Sequence, residues 1–525
     1  MKILVTDPLA KEGLDVLEKE GFEVDCKGKL SPEDLAKVIP GYDALIVRSG
    51  TRAPREVIEK ATNLKVIGRA GVGLDNVDIE AATAKGIIVM NSPEGNTIST
   101  AEHTLAMILA LARNIPQADC SLKSKVWEKK KFTGSELYGK TLGIIGLGRI
   151  GSYIARVAVS LGMKIVGHDP FISPEKAAKI PVKIVDLKEL CRVSDYITVH
   201  TPLTSETKGI IGKKEFKLMK KGVRIINCAR GGIIEERALC EALKEGKVKG
   251  AALDVYEKEP PLENPLLGFD NVITTPHLGA STQEAQINVA RDIAQQICDV
   301  LKRKISRYAA NIPAVDEKLA KIIGPYFILA EKIGILMGQL MPGNIMRIGI
   351  EYQGEIAEYD VSSLRNNLIK GLLKPSLGDQ VNYVNAPLLA KERGIKISET
   401  KTISAEEFAN LVSCKVETDN GDLAVSGTLL SKNDLRIVKI DGYPINALPQ
   451  DYLLICRNED KPGIIGQIGT ILGEREINIA GMTLGRKKKG GLAITVLNID
   501  RVIPTDDLKR IQEISAVKSA KLVKL

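Results

Sequence analysis

Aromatic residues make up only 4% of this chain of 525 residues, with a single Trp, and nucleic-acid surfaces depend on aromatic faces to stack bases. The net charge of +9 is not concentrated either: the dense lysine runs are Lys129–Lys131 and Lys487–Lys489, each beside a turn signal. No nucleic-acid partner is expected. Histidine is scarcer still, four in all (His103, His168, His200 and His277), and the eight cysteines contain no Cys-x-x-Cys pair. Neither a metal site nor a disulfide framework is expected. No apolar run approaches the ~20 residues of a membrane span. Met1–Val5 leads straight into a strand with no signal-peptide pattern, so the expected compartment is the cytoplasm.

What is present is an ordinary globular composition, 44% hydrophobic and 26% charged, in a chain long enough for roughly three to four domains. Short apolar runs alternate with helical patterns from Ile3 to about Ser281, the punctuation of parallel sheets covered on both faces. The expected fold class is α/β, with two doubly wound parallel-sheet domains. A nucleotide-binding domain (residues 99–281) is inserted in a substrate domain (1–98 and 282–305), leaving a cleft between them. Ser306–Val315 reads as a linker, residues 312–449 as an α+β domain without a catalytic constellation, and residues 451–525 as a βαββαβ, ferredoxin-like unit.

Gly146-Leu147-Gly148-Arg149-Ile150-Gly151 follows the apolar run Leu142–Ile145 and opens a helical one. Alone a Gly-x-Gly-x-x-Gly is weak; in that context it marks a pyrophosphate site at a helix N-terminus. Asp169, 18 residues beyond Gly151 at the end of the next strand, is placed to take the adenosine ribose hydroxyls. Its charge repels a 2′-phosphate and no arginine follows it directly, which favours NAD; the plainer alternative is a turn residue before Pro170. Thr201, after the strand ending at His200, would cap the other face of the cofactor. His200 and His103 read as structural.

Three further segments follow apolar strands: Cys228-Ala229-Arg230-Gly231-Gly232, Asp254–Pro260 (DVYEKEP) and Thr275-Pro276-His277. Together they supply what oxidation of a 2-hydroxy acid needs: a base, a cation for the carboxylate, and a carboxylate to orient the base. His277 is the candidate base, with a core histidine as the alternative. Glu259 would orient it, or else is an exposed turn charge. Arg230 would grip the substrate carboxylate with two hydrogen bonds. Asp254 is placed to meet the nicotinamide carboxamide, and Cys228 to line the pocket.

These residues resemble the D-isomer-specific 2-hydroxyacid dehydrogenases, and so do Ile46–Ser49, Gly68–Asp75 (GRAGVGLD) and Pro276–Thr282 (PHLGAST). The resemblance implies that Arg230, Glu259 and His277 are catalytic. Gly146, Gly148, Arg149, Ile150, Gly151, Asp169, Thr201, Cys228, Ala229, Arg230, Asp254, His277, Gly279 and Ala280 are then expected to contact NAD. Val72 and Gly73 would help Arg230 with the substrate carboxylate. Asp460–Gly463 and Glu476–Ile479 resemble an ACT domain, so within that family the chain is similar to the long form with an intervening and an ACT domain. That form implies NAD-dependent oxidation of 3-phosphoglycerate to 3-phosphooxypyruvate, the first step of L-serine biosynthesis, in a homo-oligomer expected to be a tetramer. Serine would bind between paired ACT domains at Asp460 and Asn478, although Asn458 stands where an aromatic is more usual. Arg48, Ser49, Arg52 and Arg69, with Lys129 beside Trp127, are candidates for the substrate and its phosphate; each arginine is otherwise an ordinary ion pair. The alternatives are a glyoxylate or hydroxypyruvate reductase with a regulatory tail, and an NAD-sensing corepressor.

Overall fold

Five short strands form the first sheet: Lys2–Val5 (β1), Glu23–Cys26 (β2), Ala44–Val47 (β3), Val66–Arg69 (β4) and Ile88–Asn91 (β5), parallel throughout in the order β2-β1-β3-β4-β5. The computed structural model describes the whole chain except residues 304, 305, 316, 405 and 406. All four residues of β3 are buried, as a strand covered on both faces requires. Helix Lys11–Lys19 (α1) covers one face. Helix Thr97–Arg113 (α2) leaves this sheet and buries Ala101, Leu105, Ile108 and Leu111 against the next one.

The second sheet holds Thr141–Ile145 (β6), Lys164–His168 (β7), Lys183–Ile184 (β8), Tyr196–Val199 (β9), Val223–Asn227 (β10), Val248–Leu253 (β11) and Val272–Thr274 (β12). Its order, β12-β11-β10-β9-β6-β7-β8, reverses direction at β6 and β9. Ligands of open α/β sheets bind at that switch point. β8 has no signature in the sequence because two exposed residues carry no periodicity. Helix Arg149–Ser160 (α3) follows β6, and helix Gln283–Cys298 (α4) returns the chain to the first sheet, packing Val289, Ile293 and Ile297 on Ile3, Val5 and Met90.

The expected linker is held down. Ala309 bridges to Met90, and the Asn311 amide donates to the Ile87 carbonyl (2.8 Å) while its oxygen accepts from the Val89 N–H (2.9 Å). Asn-Ile-Pro reads as a spacer in sequence, but here its Asn satisfies the open edge of β5.

Helices Glu317–Leu340 (α5) and Ser362–Leu377 (α6) pack closely because a Cβ on Gly334 would sit 2.1 Å from the Leu368 carbonyl. They cover the third sheet: Ile345–Gly354 (β13), Lys396–Thr402 (β14), Asn410–Thr418 (β15), Gly421–Ser431 (β16), Asp434–Ile440 (β17) and Tyr443–Ala447 (β18), antiparallel except for β13 with β14. The fourth sheet is antiparallel, order β20-β21-β19-β22, from Tyr452–Glu459 (β19), Ile479–Arg486 (β20), Leu492–Ile499 (β21) and Val517–Lys524 (β22). Helices Ile464–Gly473 (α7) and Thr505–Gln512 (α8) cover one face through Leu454, Cys456 and Leu497. Leu453, Ile455, Ile494 and Val496 on the other face join the same core as Ile333 and Met337 of α5. Among the described residues no helix is long and apolar enough to cross a membrane.

Candidate active site

The glycine loop after β6 is built by steric necessity. Gly146 has φ +91°, and a Cβ there would lie 2.6 Å from the His200 carbonyl just past neighbouring β9. A Cβ on Gly151 would lie 2.1 Å from the Gly146 carbonyl, so α3 can close on the loop only at glycine. At Gly148, the residue capping α3, a Cβ meets nothing within 4 Å, which leaves the helix N-terminus open to an anion. Asp169, after β7, accepts from the Leu147 N–H (2.9 Å) and the Phe171 N–H (2.9 Å). It is thus a turn residue that also fastens the loop, and its carboxylate keeps further lone pairs for a ligand. The Arg149 side chain turns away to Glu94 (Nη2 to Oε1, 3.1 Å), which also accepts from the Tyr308 hydroxyl.

Two buried polar atoms at this switch point have no partner, Nδ1 of His200 and Oγ1 of Thr201. Burial lowers the His200 pKa to about 3, so the ring is neutral, and Nε2 pairs with the Thr198 hydroxyl at 2.9 Å. His168 turns outward to the Val185 carbonyl. The orphaned Thr201 hydroxyl, the open helix end and the Asp169 carboxylate fit a dinucleotide.

Beyond the carboxyl ends of β11 and β12 stand the candidate base and its partner. His277 Nδ1 lies 2.9 Å and 3.1 Å from the two carboxylate oxygens of Glu259, so Nε2 is the ring nitrogen left for substrate. Burial would raise the Glu259 carboxyl, but the hydrogen bond and charge of His277 outweigh it and hold it below the usual carboxylate range. Asp254 is fully buried. Its oxygens accept from the Thr275 hydroxyl (2.6 Å) and the Leu278 and Gly279 N–H groups (2.7 and 2.8 Å). The carboxylate expected at the nicotinamide carboxamide is thus committed to the turn that carries His277. His103, which sequence reasoning assigns to its own helix, crosses from α2 to within 3.3 Å of Asp254 and of Thr275. Burial pushes the Cys228 thiol up to about 12, so it lines the site as a neutral group.

Arg230 spans the cleft. Its Nε reaches Asp75 (3.3 Å), its Nη1 donates to the Ala229 carbonyl (2.7 Å), and a Cβ on Gly73 would lie 2.1 Å from Nη2. Glycine at 73 is what lets the guanidinium lie on the Gly68–Asp75 loop, and the Asn91 amide holds that loop at the Val72 carbonyl. Arg69 is mostly buried. Burial and then the charge of Arg230, only partly countered by Asp75, lower its pKa to about 10, and its Nε has no partner. Two guanidiniums crowded at one cleft are an anion site in search of charge. Arg48 donates to the Pro8 carbonyl, and Ser49, Arg52 and Lys129 are exposed. Asp7, which sequence reasoning missed, is buried and accepts from the N–H groups of Arg48 (2.6 Å) and Thr51 (3.1 Å). Its place at the carboxyl end of β1 was the available signal.

In the fourth sheet Asp460 accepts from Arg486 (2.7 Å) and the Gly490 N–H (3.0 Å), while Asn478 donates to Asp500 (3.2 Å). Asp460 follows the end of β19, and Asn478 precedes β20, whose first residue pairs with Ile499 opposite the start of β19. A strand of eight residues, roughly 25 Å at about 3.3 Å per residue, separates them. The two residues therefore stand at opposite ends of one sheet, too far apart to meet on one small ligand within a single module. Asn458 is buried, accepting from Thr495 at 2.8 Å.

Three family models match: the D-isomer specific 2-hydroxyacid dehydrogenase NAD binding domain over residues 105–279, the D-3-phosphoglycerate dehydrogenase intervening domain over 322–441, and the ACT domain over 452–516. Among solved structures, a glyoxylate reductase from Paecilomyes thermophila superimposes with TM-score 0.56 at 29% identity, over 59% of this chain and 98% of that one. The apo-structure of D-lactate dehydrogenase from Escherichia coli gives 0.53 at 30% identity, over 59% of this chain and all of that one. The chain belongs to the D-isomer specific 2-hydroxyacid dehydrogenase family, and its cofactor is NAD. Within that family it is similar along its whole length to proteins named D-3-phosphoglycerate dehydrogenase. That of Methanocaldococcus jannaschii is 47% identical over 100% of both chains, and that of Bacillus subtilis 46% identical over 100% of this chain and 99% of the relative.

Proposed function

We propose that this chain catalyses NAD-dependent oxidation of 3-phosphoglycerate to 3-phosphooxypyruvate, the first step of L-serine biosynthesis. The observation that carries the reading is the His277–Glu259 pair, 2.9 Å apart, in a cleft where Arg230 lies on the Gly73 loop. His277 takes the substrate hydroxyl proton at Nε2 as C2 becomes a carbonyl. Glu259 keeps Nδ1 protonated and stabilises the imidazolium. Arg230, with the backbone at Val72 and Gly73, holds the substrate carboxylate. Arg69 and Arg48, with the exposed Ser49 and Arg52, supply the cationic side of the cleft for the phosphate. NAD, when bound, supplies the hydride acceptor. The residues that would hold it are Gly146, Gly148, Arg149, Ile150 and Gly151 at the pyrophosphate, Asp169 at the ribose, and Thr201, Cys228, Ala229, Gly279 and Ala280 along the remainder, with Asp254 acting only through the turn that it holds. The Arg69 guanidinium, with an unpartnered Nε, favours a doubly anionic substrate over glyoxylate.

The reading extends to a cytoplasmic homo-oligomer, a tetramer, with L-serine as effector. Because Asp460 and Asn478 lie at opposite ends of one sheet, a serine touching both must sit between two copies set head to tail, which supports paired ACT domains. The deciding assay is NADH formation from 3-phosphoglycerate, with glycerate and glycolate in parallel and serine titrated in. Faster turnover of the unphosphorylated acids would favour the reductase reading, and no turnover of any 2-hydroxy acid would favour the corepressor.

A further inference from the structure

We infer that His103 is a positioning residue for this reaction, holding the turn that carries His277 through Asp254 and Thr275. The inference rests on the reading of His277 as the proton acceptor.

The turn needs holding. His277 has φ +58°, a conformation that L side chains seldom adopt, and its ring is 44% exposed, so packing alone does not fix it. The bonds that fix it come from beneath. Asp254 gathers the Leu278 and Gly279 N–H groups and the Thr275 hydroxyl onto one buried carboxylate. The first turns of α2 present Ser99 and Thr100, with His103 four and three residues beyond them on the same side. The Ser99 and Thr100 hydroxyls donate to the Gly279 carbonyl (2.9 and 3.1 Å). His103 completes that face, with Nε2 3.3 Å from both Asp254 Oδ1 and Thr275 Oγ1.

The tautomer follows from the partners. The Thr275 hydroxyl spends its one proton on Asp254 at 2.6 Å, and the same carboxylate already accepts the Leu278 and Gly279 N–H groups. Both atoms facing Nε2 are therefore acceptors, and Nε2 must carry hydrogen. His103 touches none of the reacting atoms. It acts by orienting Thr275 and Asp254, and through them the backbone at His277, where a small misplacement costs rate.

The test compares His103→Leu, which removes the donor, with His103→Gln, whose amide nitrogen restores one near Nε2. We expect His103→Leu to lower kcat roughly tenfold, with KM and NAD affinity within about twofold and an enlarged deuterium isotope effect from substrate labelled at C2. His103→Gln should recover most of the rate. Thr275→Val, which removes the other side-chain donor without touching α2, should give a similar loss. The double variant should lose less than the product of the two, because both act on one carboxylate. A His103→Leu enzyme with parental kcat, equal losses in the Leu and Gln variants, or a fully active Thr275→Val enzyme would overturn the inference. Because kcat is compared on whichever 2-hydroxy acid the parent turns over, a wrong substrate assignment leaves the test intact.

Discussion

The two halves of the chain treat polar groups differently. Among the described residues, every buried side-chain polar atom without a partner lies between Arg69 and Gln296, and none lies in residues 317–525. In the C-terminal half charges are matched nearby: Glu459 meets Lys461 and Lys518, which bring its carboxyl down to about 2, and Asp507 meets Arg475 and Arg510. The parallel sheets end in loops whose Arg69, His200 and Thr201 are left with unspent hydrogen-bonding capacity around a cleft. An unpaired buried donor costs about 1–3 kcal/mol, a cost a fold sustains where a ligand later supplies the partner. The contrast separates a half that leaves polar groups open around a cleft from a half that satisfies its own.

The largest effect belongs to the cleft. His277→Asn should reduce hydride transfer by ~10²–10⁴-fold, the worth of positioned proton transfer. NAD binding, measured by titration, should persist. In the parent, oxidation should rise with pH as reduction falls, since one needs the neutral imidazole and the other the imidazolium; profiles of the same sign would break the assignment.

Next is Asp169→Ala, expected to weaken NAD binding by about 1.5–3 kcal/mol and to narrow the preference over NADP. Because Asp169 also fastens Leu147, crystallography or hydrogen exchange at the glycine loop should accompany the titration. Unchanged NAD affinity would leave Asp169 as a turn residue alone.

In the other half, Asp460→Ala should weaken serine binding by calorimetry and reduce inhibition, with a coupling of about 1–3 kcal/mol at stake. Truncation at residue 451 is a poorer test, because it would remove the strands that meet β18 and α5 and bare the core that Leu453, Ile455 and Ile494 share with Ile333 and Met337. Serine binding that survives Asp460→Ala would assign the tail another ligand or a purely structural role.

The smallest effect sharpens the contrast on the cleft side. The Glu259 carboxyl is lowered on folding, so its pairing stabilises the fold above the ordinary carboxylate value and loses that contribution as pH falls through the folded one. Glu259→Gln should lower Tm at pH 7 by the equivalent of under about 1 kcal/mol, because the pair is part-exposed. The gap to the parent should close as pH falls below the ordinary carboxylate range; a gap that widens with acid would contradict the sign.

The parallel strands were legible because short Val, Ile and Leu runs between turn residues have few other uses. Val223–Asn227 and Tyr196–Val199 are such runs, buried along their whole length. The βαββαβ tail was legible for the same reason, since Tyr452–Glu459 and Leu492–Ile499 are near-continuous apolar runs buried on both faces. Residues whose role rests on contacts distant in sequence were not. Asp7 serves a loop at Arg48–Thr51, Glu94 meets Arg149, Asn311 completes the edge of β5, and His103 reaches Thr275 across 172 residues.

The sequence by itself determined the kinds of element, the glycine loop and the chemical types at each strand end, because backbone sterics and hydrophobic periodicity act over a few residues. Only the tertiary structure decided which of those ends face one another: that Arg230 lies on Gly73, that Asp254 serves the His277 turn, and that Asp460 and Asn478 point to opposite ends of their sheet. Strand order and crossover direction set those meetings, and the hydrogen bonds that seal them join segments whose spacing along the chain carries no record of their distance in space.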